Sequence, residues 1–221
     1  MKTQEFIEQL PVRAVMHRAD GSFTVVPRVA LGSLSADALA KINAVVQEYS
    51  LAGVRLTAGQ HMMIDGVSED ILSDVVARLG EVGDTYKYKV QACLGNTGCK
   101  FGQRDSMELA RNLEAFLDKF NLPSKIKASV SGCSMCCVES MVRDIGLLGK
   151  NVGWTVSFGG NAGKKPRQAD VLAEDVTSKE AFEIIGKALD FYAENARIKE
   201  RTARFVERVG IDAVKAAVFD V

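Results

Sequence analysis

The sequence predicts an α+β fold, in which a β-α-β half is followed by an α/β half that carries every cysteine. Segments rich in β-forming residues alternate with segments whose apolar residues recur at helical spacing. The five cysteines fall in two tight clusters, one in "QACLGNTGCKFG" and one in "SGCSMCC". At 221 residues the chain is long enough for one large domain or two small ones. The clustered thiols mark the candidate functional site.

The first half is predicted to form a compact β-α-β-β-α unit over residues 22–80. "SFTVVPRVALG" is rich in β-formers and predicts a strand, with Pro27 favouring an edge or a bulge. Ser35 and Ser68 each precede an apolar pattern of helical period, so both are expected to cap helices. Between these helices, "GVRLTAGQHMMIDG" predicts two short extended segments around Ala58 and Gly59.

The second half mixes strands and helices around the thiols. "YKYKVQAC" predicts a strand that runs into the first cysteine, and Asp105 with Glu108 fits a capping box that opens a helix. "KIKASVS" alternates apolar and polar residues, which predicts a half-buried strand, and "GWTVSFGG" predicts another. From Ser178 onward the pattern is helical, with a break at Gly210.

Charge and hydropathy exclude several classes of function. Twenty-eight basic residues balance twenty-eight acidic ones, so no global field favours nucleic acid or an anionic membrane surface as a partner. No apolar run reaches the length of a membrane span, and "MKTQEFIEQL" lacks the layout of a signal peptide. We therefore expect a cytoplasmic protein, in which clustered cysteines bind metal or act in catalysis.

The spacing of the thiols favours an iron–sulfur cluster over zinc. Cys93 and Cys99 are separated by five residues, and Cys133 and Cys137 by three. Structural zinc usually takes closer pairs, whereas the larger four-iron cluster needs thiolates spread around a cube. Nearby glycines would let backbone amides approach the inorganic sulfurs. Buried free thiols are the alternative, but core cysteines would be scattered along the chain.

The thiol segments resemble the cluster-binding signature of the sirohaem-containing sulfite and nitrite reductases. "CLGNTGC" is followed in this chain by "SGCSMCC" and "DIGLLG", and five further segments resemble the family in the same order: "VVPRVALGSLSADAL", "VRLTAGQ", "LPSKIKASVSGC", "WTVSFGGNAG" and "ERTARFVERVG". The resemblance implies a ferredoxin-like half-domain over residues 1–85. It also implies an α/β domain with C-terminal helices over residues 86–221, which binds a [4Fe-4S] cluster and sirohaem.

The resemblance further implies the cluster ligands. Cys93, Cys99, Cys133 and Cys137 would hold the cluster, and the thiolate of Cys137 would also bridge to the sirohaem iron. Cys136 is one residue out of the family register and is expected to be a buried thiol beside the cluster. The alternative is that Cys136 replaces Cys137 as the ligand.

Anion-binding residues are also implied by the resemblance. Lys125 and Lys127 resemble the family's substrate-binding lysines. The remaining candidates for cofactor or anion contacts are Arg28, Arg55, Thr57, Gln60, Asn161 and Lys164. The last two lie in "GGNAGKKP", which is too short for a phosphate-binding P-loop and lacks its Ser or Thr. The alternative for each cation is a solvated surface charge.

Two departures from the family pattern stand out. Many relatives have an arginine immediately before the glutamine of "RLTxxQ", where this chain has Gly59. Another cation replaces it, or the chain holds anions differently. Larger relatives contain two tandem copies of the unit, whereas this chain has one, so it would complete its pocket as a homodimer or act as a minimal monomer.

The expected function is reduction of sulfite to sulfide by an assimilatory-type sulfite reductase. The small oxyanion would be bound by the lysines and reduced by electrons that an external, ferredoxin-like donor supplies, since no flavin or nicotinamide fingerprint is seen in the sequence. Two alternatives stay open: a nitrite reductase, and a non-catalytic iron–sulfur protein for electron transfer. Neither nucleic acid nor a membrane is expected as a partner.

Overall fold

The computed structural model describes residues 2–220, which form two compact units divided between Lys87 and Tyr88. In the first unit the helices and strands are α1 (Lys2–Glu8), β1 (Val15–His17), β2 (Phe23–Val25), α2 (Ala36–Glu48), β3 (Val54–Leu56), β4 (Met62–Val67) and α3 (Leu72–Leu79). In the second they are β5 (Val90–Ala92), α4 (Ser106–Leu117), β6 (Ala128–Ser131), β7 (Ile145–Gly149), β8 (Trp154–Phe158), β9 (Asp170–Val176), α5 (Ser178–Asn195), α6 (Thr202–Val209) and α7 (Ile211–Phe219). The α+β class is confirmed.

The first unit is an antiparallel sheet packed with two amphipathic helices. The strand order is β1-β2-β4-β3, and α2 and α3 bury Ile42 and Val75 in a core shared with Val25 and Ile64 of the strands. The β-α-β-β-α prediction is confirmed, and the Ser35 hydroxyl accepts a hydrogen bond from the Ala38 amide at 3.1 Å as the cap of α2.

Three local features of this unit differ from expectation. The strand predicted over residues 22–32 is shorter, because Pro27 has no amide proton for the ladder and pairs only through an isolated bridge. Ser68 precedes a short 3₁₀ turn, Glu69–Ile71, before α3 begins. The sequence patterns did not indicate α1 or β1, since both are short.

The second unit is built on a mixed five-stranded sheet. Its order is β5-β6-β7-β8-β9, in which β5, β6 and β7 run parallel while β8 and β9 pair antiparallel. Helix α4 makes the crossover between β5 and β6 and begins at the predicted cap, where the Asp105 carboxylate accepts from the Glu108 amide at 2.9 Å. The predicted helical end of the chain is confirmed, with the break at Gly210, whose φ is 85°.

Strand β6 contradicts the expected alternation, because all four of its residues are buried. A parallel strand between two neighbours is covered on both faces, so its polar side chains must find partners inside. Ser129 and Ser131 do so by hydrogen bonding to the Ser140 hydroxyl, at 3.1 and 2.9 Å. Within residues 2–220, no helix combines the length and apolar character needed to cross a membrane.

Candidate metal centre

The thiol segments begin at the same edge of the second unit's sheet. Cys93 directly follows β5, and Cys133 lies two residues beyond the end of β6. These strands are adjacent and parallel, so their carboxyl ends lie side by side. The fold therefore brings together two thiols that are far apart in the sequence.

Cys93 is held directly against the second thiol segment. The Gly132 amide donates a hydrogen bond to the Cys93 sulfur at 3.1 Å. The Ser106 hydroxyl lies 3.5 Å from the same sulfur and donates to the Cys93 carbonyl at 2.7 Å. Helix α4, which starts at Ser106, thus fixes the position of Cys93.

Three glycines pack the Cys99 loop onto the Cys133 turn. A Cβ atom at Gly102 would lie 2.2 Å from the Gly95 carbonyl carbon, and one at Gly132 would lie 2.5 Å from the Gly95 Cα. Real Cβ atoms essentially never approach closer than 3.0 Å, so these positions exclude any side chain. The glycines expected to approach inorganic sulfurs therefore have a packing role in the fold itself.

The turn from Cys133 to Glu139 presents its thiols differently. Cys133 is buried and Cys137 is exposed, whereas Cys136 is partly exposed rather than buried as expected. Cys136 has a left-handed φ of 55°, and its amide donates to the Cys133 carbonyl at 3.3 Å. The Glu139 amide in turn donates to the Cys136 carbonyl at 2.8 Å. Cys136 is therefore the residue at which the turn reverses.

The donor set fits a four-iron cluster. All five cysteines are free thiols, so none is consumed in a disulfide. Among residues 2–220 no three His, Cys, Asp or Glu side chains converge as ligands of a single metal ion would. A four-iron cube takes one thiolate at each of several corners, so free thiols in two segments that pack together at one sheet edge suit it.

Lys125 and Lys127 lie at the opposite end of β6 from the thiols. Both are exposed, Ile126 between them is buried, and the strand begins one residue after Lys127. At about 3.3 Å per residue, the strand separates the lysine backbone from the thiol turn by roughly 13 Å. The structure thus places the two sets of predicted residues on opposite edges of the sheet.

A buried carboxylate anchors the lysine segment. Asp144 is 0% exposed and accepts a hydrogen bond from the Lys127 amide at 2.8 Å. Its two oxygens also receive the Arg201 guanidinium and the Thr202 hydroxyl. Asp144 therefore joins the start of β6 to the beginning of α6.

Lys127 belongs to a cluster of cations. Burial lowers the pKa of Lys127, and the nearby charges of Arg201, Lys125 and Arg143 lower that pKa further, while Asp144 opposes them. Sequence reasoning did not assign Arg143, Asp144 or Arg201 to the site. The only signal was that Asp144 and Arg201 lie in the quoted segments "DIGLLG" and "ERTARFVERVG", and that Arg143 directly precedes the first of them.

In the first unit, Arg55 is already engaged in an ion pair. Its side chain is 58% exposed and donates to the Asp65 carboxylate at 2.6 Å. The Thr24 hydroxyl lowers the pKa of Asp65, burial opposes this, and Arg55 and Arg18 lower the pKa further. An anion that binds Arg55 must therefore compete with a stable carboxylate.

Arg28 has more unused donor capacity. Its backbone amide donates to the Glu81 carbonyl at 3.0 Å, and its Nη1 lies 3.5 Å from the Glu81 carboxylate. The Arg28 Nε is buried and finds no acceptor among residues 2–220. An unpaired buried donor is costly unless a ligand supplies the acceptor. This orphaned atom fits a carboxylate-rich cofactor.

Thr57 and Gln60 form the turn between β3 and β4. The Thr57 amide donates to the His61 carbonyl at 3.0 Å, and the Thr57 hydroxyl accepts from the His61 amide at 3.2 Å. Gln60 adopts a left-handed φ of 58°, and its side chain packs beside Gly32. Both polar residues are therefore held in a fixed turn.

His61 occupies the space beside Gly59. A Cβ at Gly59 would lie 3.1 Å from the His61 Nδ1, and the His61 Nε2 lies 3.2 Å from the Asp84 carboxylate. Arg13 also pairs with Asp84. A side chain at position 59 would thus require the paired His61 imidazole to shift by a few tenths of an ångström.

Asn161 and Lys164 lie in the loop between β8 and β9. The Asn161 amide donates to the Lys165 carbonyl at 2.7 Å, so this side chain stabilises its own loop. The Lys164 side chain is exposed. Arg204 of α6 also donates to the Lys165 carbonyl at 2.8 Å, which ties this loop to the helix.

The chain matches two family models in succession. Residues 16–82 match the nitrite/sulfite reductase ferredoxin-like half domain, and residues 84–220 match the nitrite and sulphite reductase 4Fe-4S domain. Over 94% of this chain and 97% of the relative, it is 35% identical to the "Sulfite reductase, assimilatory-type" of Nitratidesulfovibrio vulgaris. It is 36% identical to the "Nitrite reductase [NAD(P)H]" of Bacillus subtilis over 91% of this chain, which spans 26% of that protein.

Two solved structures share the fold. The NirA protein of Mycobacterium tuberculosis superposes with a TM-score of 0.76 at 23% identity, covering 91% of this chain and 41% of that one. Dissimilatory sulfite reductase I superposes with a TM-score of 0.73 at 14% identity, over 89% of this chain and 69% of that one. Taken with the free thiols, the 4Fe-4S family model accounts for the [4Fe-4S] cluster, and sirohaem is the second cofactor that the resemblance to this family implied. The chain belongs to the nitrite and sulphite reductase family, with its ferredoxin-like half-domain followed by its 4Fe-4S domain.

Proposed function

We propose that this protein is a sirohaem-dependent sulfite reductase that reduces sulfite to sulfide with electrons from an external donor. The observation that carries this proposal is the likeness, in sequence and in length, to the assimilatory-type sulfite reductase. When bound, the sirohaem and the cluster supply the electron-transfer chemistry. We further propose a cytoplasmic location and a domain division at residues 85 and 86, as expected from the sequence.

The proposed cluster ligands are Cys93, Cys99, Cys133 and Cys137. Their support is the packing of the two thiol segments at one sheet edge, which is fixed by the contact between the Gly132 amide and the Cys93 sulfur. Cys137 is proposed to bridge cluster and sirohaem because it is the exposed thiol of the turn. Cys136 is proposed to stay uncoordinated.

The proposed role of Lys125 and Lys127 is to bind oxyanions and to hold a proton for the oxygen that leaves as water. The lowered pKa of Lys127 makes its ammonium a better proton donor than an ordinary lysine. Arg28 and Arg55 are proposed to assist in binding the anion or the cofactor. Cofactor contacts are also proposed for Thr57, Gln60, Asn161 and Lys164.

The position of the lysines bears on the proposed assembly. In a monomer, the lysines and the thiols of one chain would serve the same site from opposite ends of β6. In a homodimer, the lysines of a second copy would complete the site at the thiols of the first. Mixing Lys127→Ala chains with Cys133→Ser chains separates the two cases, because activity returns in the mixture only if the copies share a site.

The function is tested on protein purified with sirohaem available, using a reduced viologen dye as donor. We expect sulfide from sulfite and no turnover with NADPH alone. Lys127→Ala should lower turnover by about tenfold to a hundredfold, because a charge-assisted contact is lost. Lys179→Ala, at a side chain 87% exposed, is the matched control.

Nitrite reduction is the second candidate, supported by the identity to the Bacillus subtilis nitrite reductase. The same preparation is assayed for ammonium from nitrite, and the ratio of the two kcat/KM values decides the substrate. Protein that takes up iron and sulfide but no sirohaem would instead favour a non-catalytic iron–sulfur protein.

A further inference from the structure

Arg143 is fixed in place by the backbone around it. It lies two residues before β7, and its carbonyl accepts a hydrogen bond from the Gly160 amide at 2.9 Å. A Cβ at Gly160 would come within 2.7 Å of the Arg143 nitrogen, so the two segments touch backbone to backbone. The Arg143 side chain is only 12% exposed. Its guanidinium is therefore placed by the fold rather than free in solvent.

The hydrogen bonding of this guanidinium is incomplete. Nη2 donates to the Glu139 carboxylate at 2.8 Å. Nε is buried, and within the described part of the chain it has no acceptor. A buried donor of a charged group without an acceptor destabilises the fold, and a bound oxyanion would remove that cost.

The neighbouring charges are those of an anion site. Asp144 neutralises Arg201, and Glu139, whose side chain is 60% exposed, pairs with Arg143. Strands β6 and β7 are adjacent with Ala128 opposite Ile145, and the Lys127 carbonyl accepts from the Ile145 amide at 3.4 Å, so Lys127 and Arg143 stand at the starts of neighbouring strands. The charges of Lys125 and Lys127 therefore add to that of Arg143. The cations thus outnumber the carboxylates in the cluster formed by Lys125, Lys127, Glu139, Arg143, Asp144 and Arg201.

We propose that Arg143 binds an oxyanion together with Lys127, at the amino ends of β6 and β7. The proposal deepens the function above and rests on it. A carboxylate of sirohaem and a sulfite ion share the required chemistry, a compact group of anionic oxygens that accepts hydrogen bonds from a guanidinium.

The test compares Arg143→Gln with Glu139→Gln. Removing Arg143 should weaken anion binding, whereas removing its competing carboxylate should strengthen it. If Arg143 served only to hold Glu139, both variants would lose the same contact and change in the same direction. Arg143→Lys, which keeps the charge but loses the planar fork, should fall between wild type and Arg143→Gln. Arg78→Gln is the matched control, because Arg78 is paired with Glu48 on the exposed surface of the first unit.

Two measurements distinguish the sources of the oxyanion. Sirohaem per chain, read from absorbance, should fall on the order of tenfold in Arg143→Gln if the ligand is a cofactor carboxylate. If the ligand is sulfite, sirohaem content stays normal and the sulfite dissociation constant from spectral titration rises by about the same factor. Iron content and thermal denaturation show whether each variant is folded.

The inference is overturned if Arg143→Gln leaves sirohaem content and sulfite affinity within twofold of wild type, or if Glu139→Gln weakens both as Arg143→Gln does. Should Arg143→Gln not fold, the Glu139→Gln and Arg143→Lys results decide by the same criteria. If Arg143→Gln behaves like wild type while Lys127→Ala loses turnover, this inference fails and the proposed function stands. If Arg143→Gln loses sirohaem or sulfite affinity while Lys127→Ala turns over like wild type, the arginine site stands and Lys127 has no part in the proposed function.

Discussion

Replacing Gly132 by alanine adds one methyl group where the two thiol segments touch. The new Cβ would lie 2.5 Å from the Gly95 Cα, 2.9 Å from the Arg104 carbonyl oxygen and 3.3 Å from the Ser106 hydroxyl. Carbon atoms in contact normally stay about 3.5–4.0 Å apart, so the backbone must yield by about 1 Å. No flexible side chain can absorb the change, because the two nearest atoms belong to the main chain.

The shift should affect both stability and cluster binding. Overpacking a site of this kind costs about 1–3 kcal/mol in the free energy of unfolding. The displaced Gly132 amide would also release the Cys93 sulfur, so the thiols would no longer be held ready for the cluster. We expect Gly132→Ala to retain little iron and acid-labile sulfide.

Gly98→Ala is the control for this change. Its Cβ would meet only the Leu94 side chain, at the ordinary distance of 3.5 Å. Iron and acid-labile sulfide are measured per chain after reconstitution, and unfolding by urea is measured on cluster-free protein. The reasoning fails if Gly132→Ala binds a full cluster and its free energy of unfolding lies within about 0.5 kcal/mol of wild type.

Three further tests, which use four substitutions, address other parts of the site. Cys136→Ser should keep iron and sulfide whereas Cys137→Ser should lose them, and the reverse result would exchange the two assignments. Because the pKa of Lys127 is lowered, its loss of charge should reduce sulfite affinity at a lower pH than the titration of an ordinary lysine would. Lys127→Arg stays charged at high pH, so this alkaline fall in affinity should disappear. The same pH profile in wild type and variant would contradict this. Asp144→Asn leaves the Arg201 guanidinium without its counter-charge and should lower the free energy of unfolding by about 3 kcal/mol in urea titration; a loss below about 1 kcal/mol would refute it.

The thiols could be located from sequence because their chemistry depends on residue type and local spacing. Cys93 and Cys99 stand in one short segment, and so do Cys133 and Cys137. The lysine pair was predicted differently, from the resemblance of the segment "LPSKIK" to the family, and its role stays a prediction. Patterns of this kind involve only residues that are close in sequence, so they can be recognised before the fold is known.

The partners of Asp144 could not be found in that way. Arg201 lies 57 residues further along the chain and reaches the carboxylate only through the packing of α6. The half-buried strand predicted from the alternation of "KIKASVS" was wrong for a related reason. A serine in a strand pattern predicts solvent exposure, and only the structure shows that Ser129 and Ser131 are buried with Ser140 as their partner.

The buried Asp144 carboxylate also sets an order of events during protein synthesis. A ribosome adds residues in sequence, so Asp144 is made well before Arg201 and Thr202, which hold its two oxygens. Until those residues emerge, the carboxylate must stay hydrated, since burial without partners is costly. The start of β6 can therefore be buried only after Arg201 and Thr202 have been made and can reach the carboxylate, more than fifty residues after Asp144 itself.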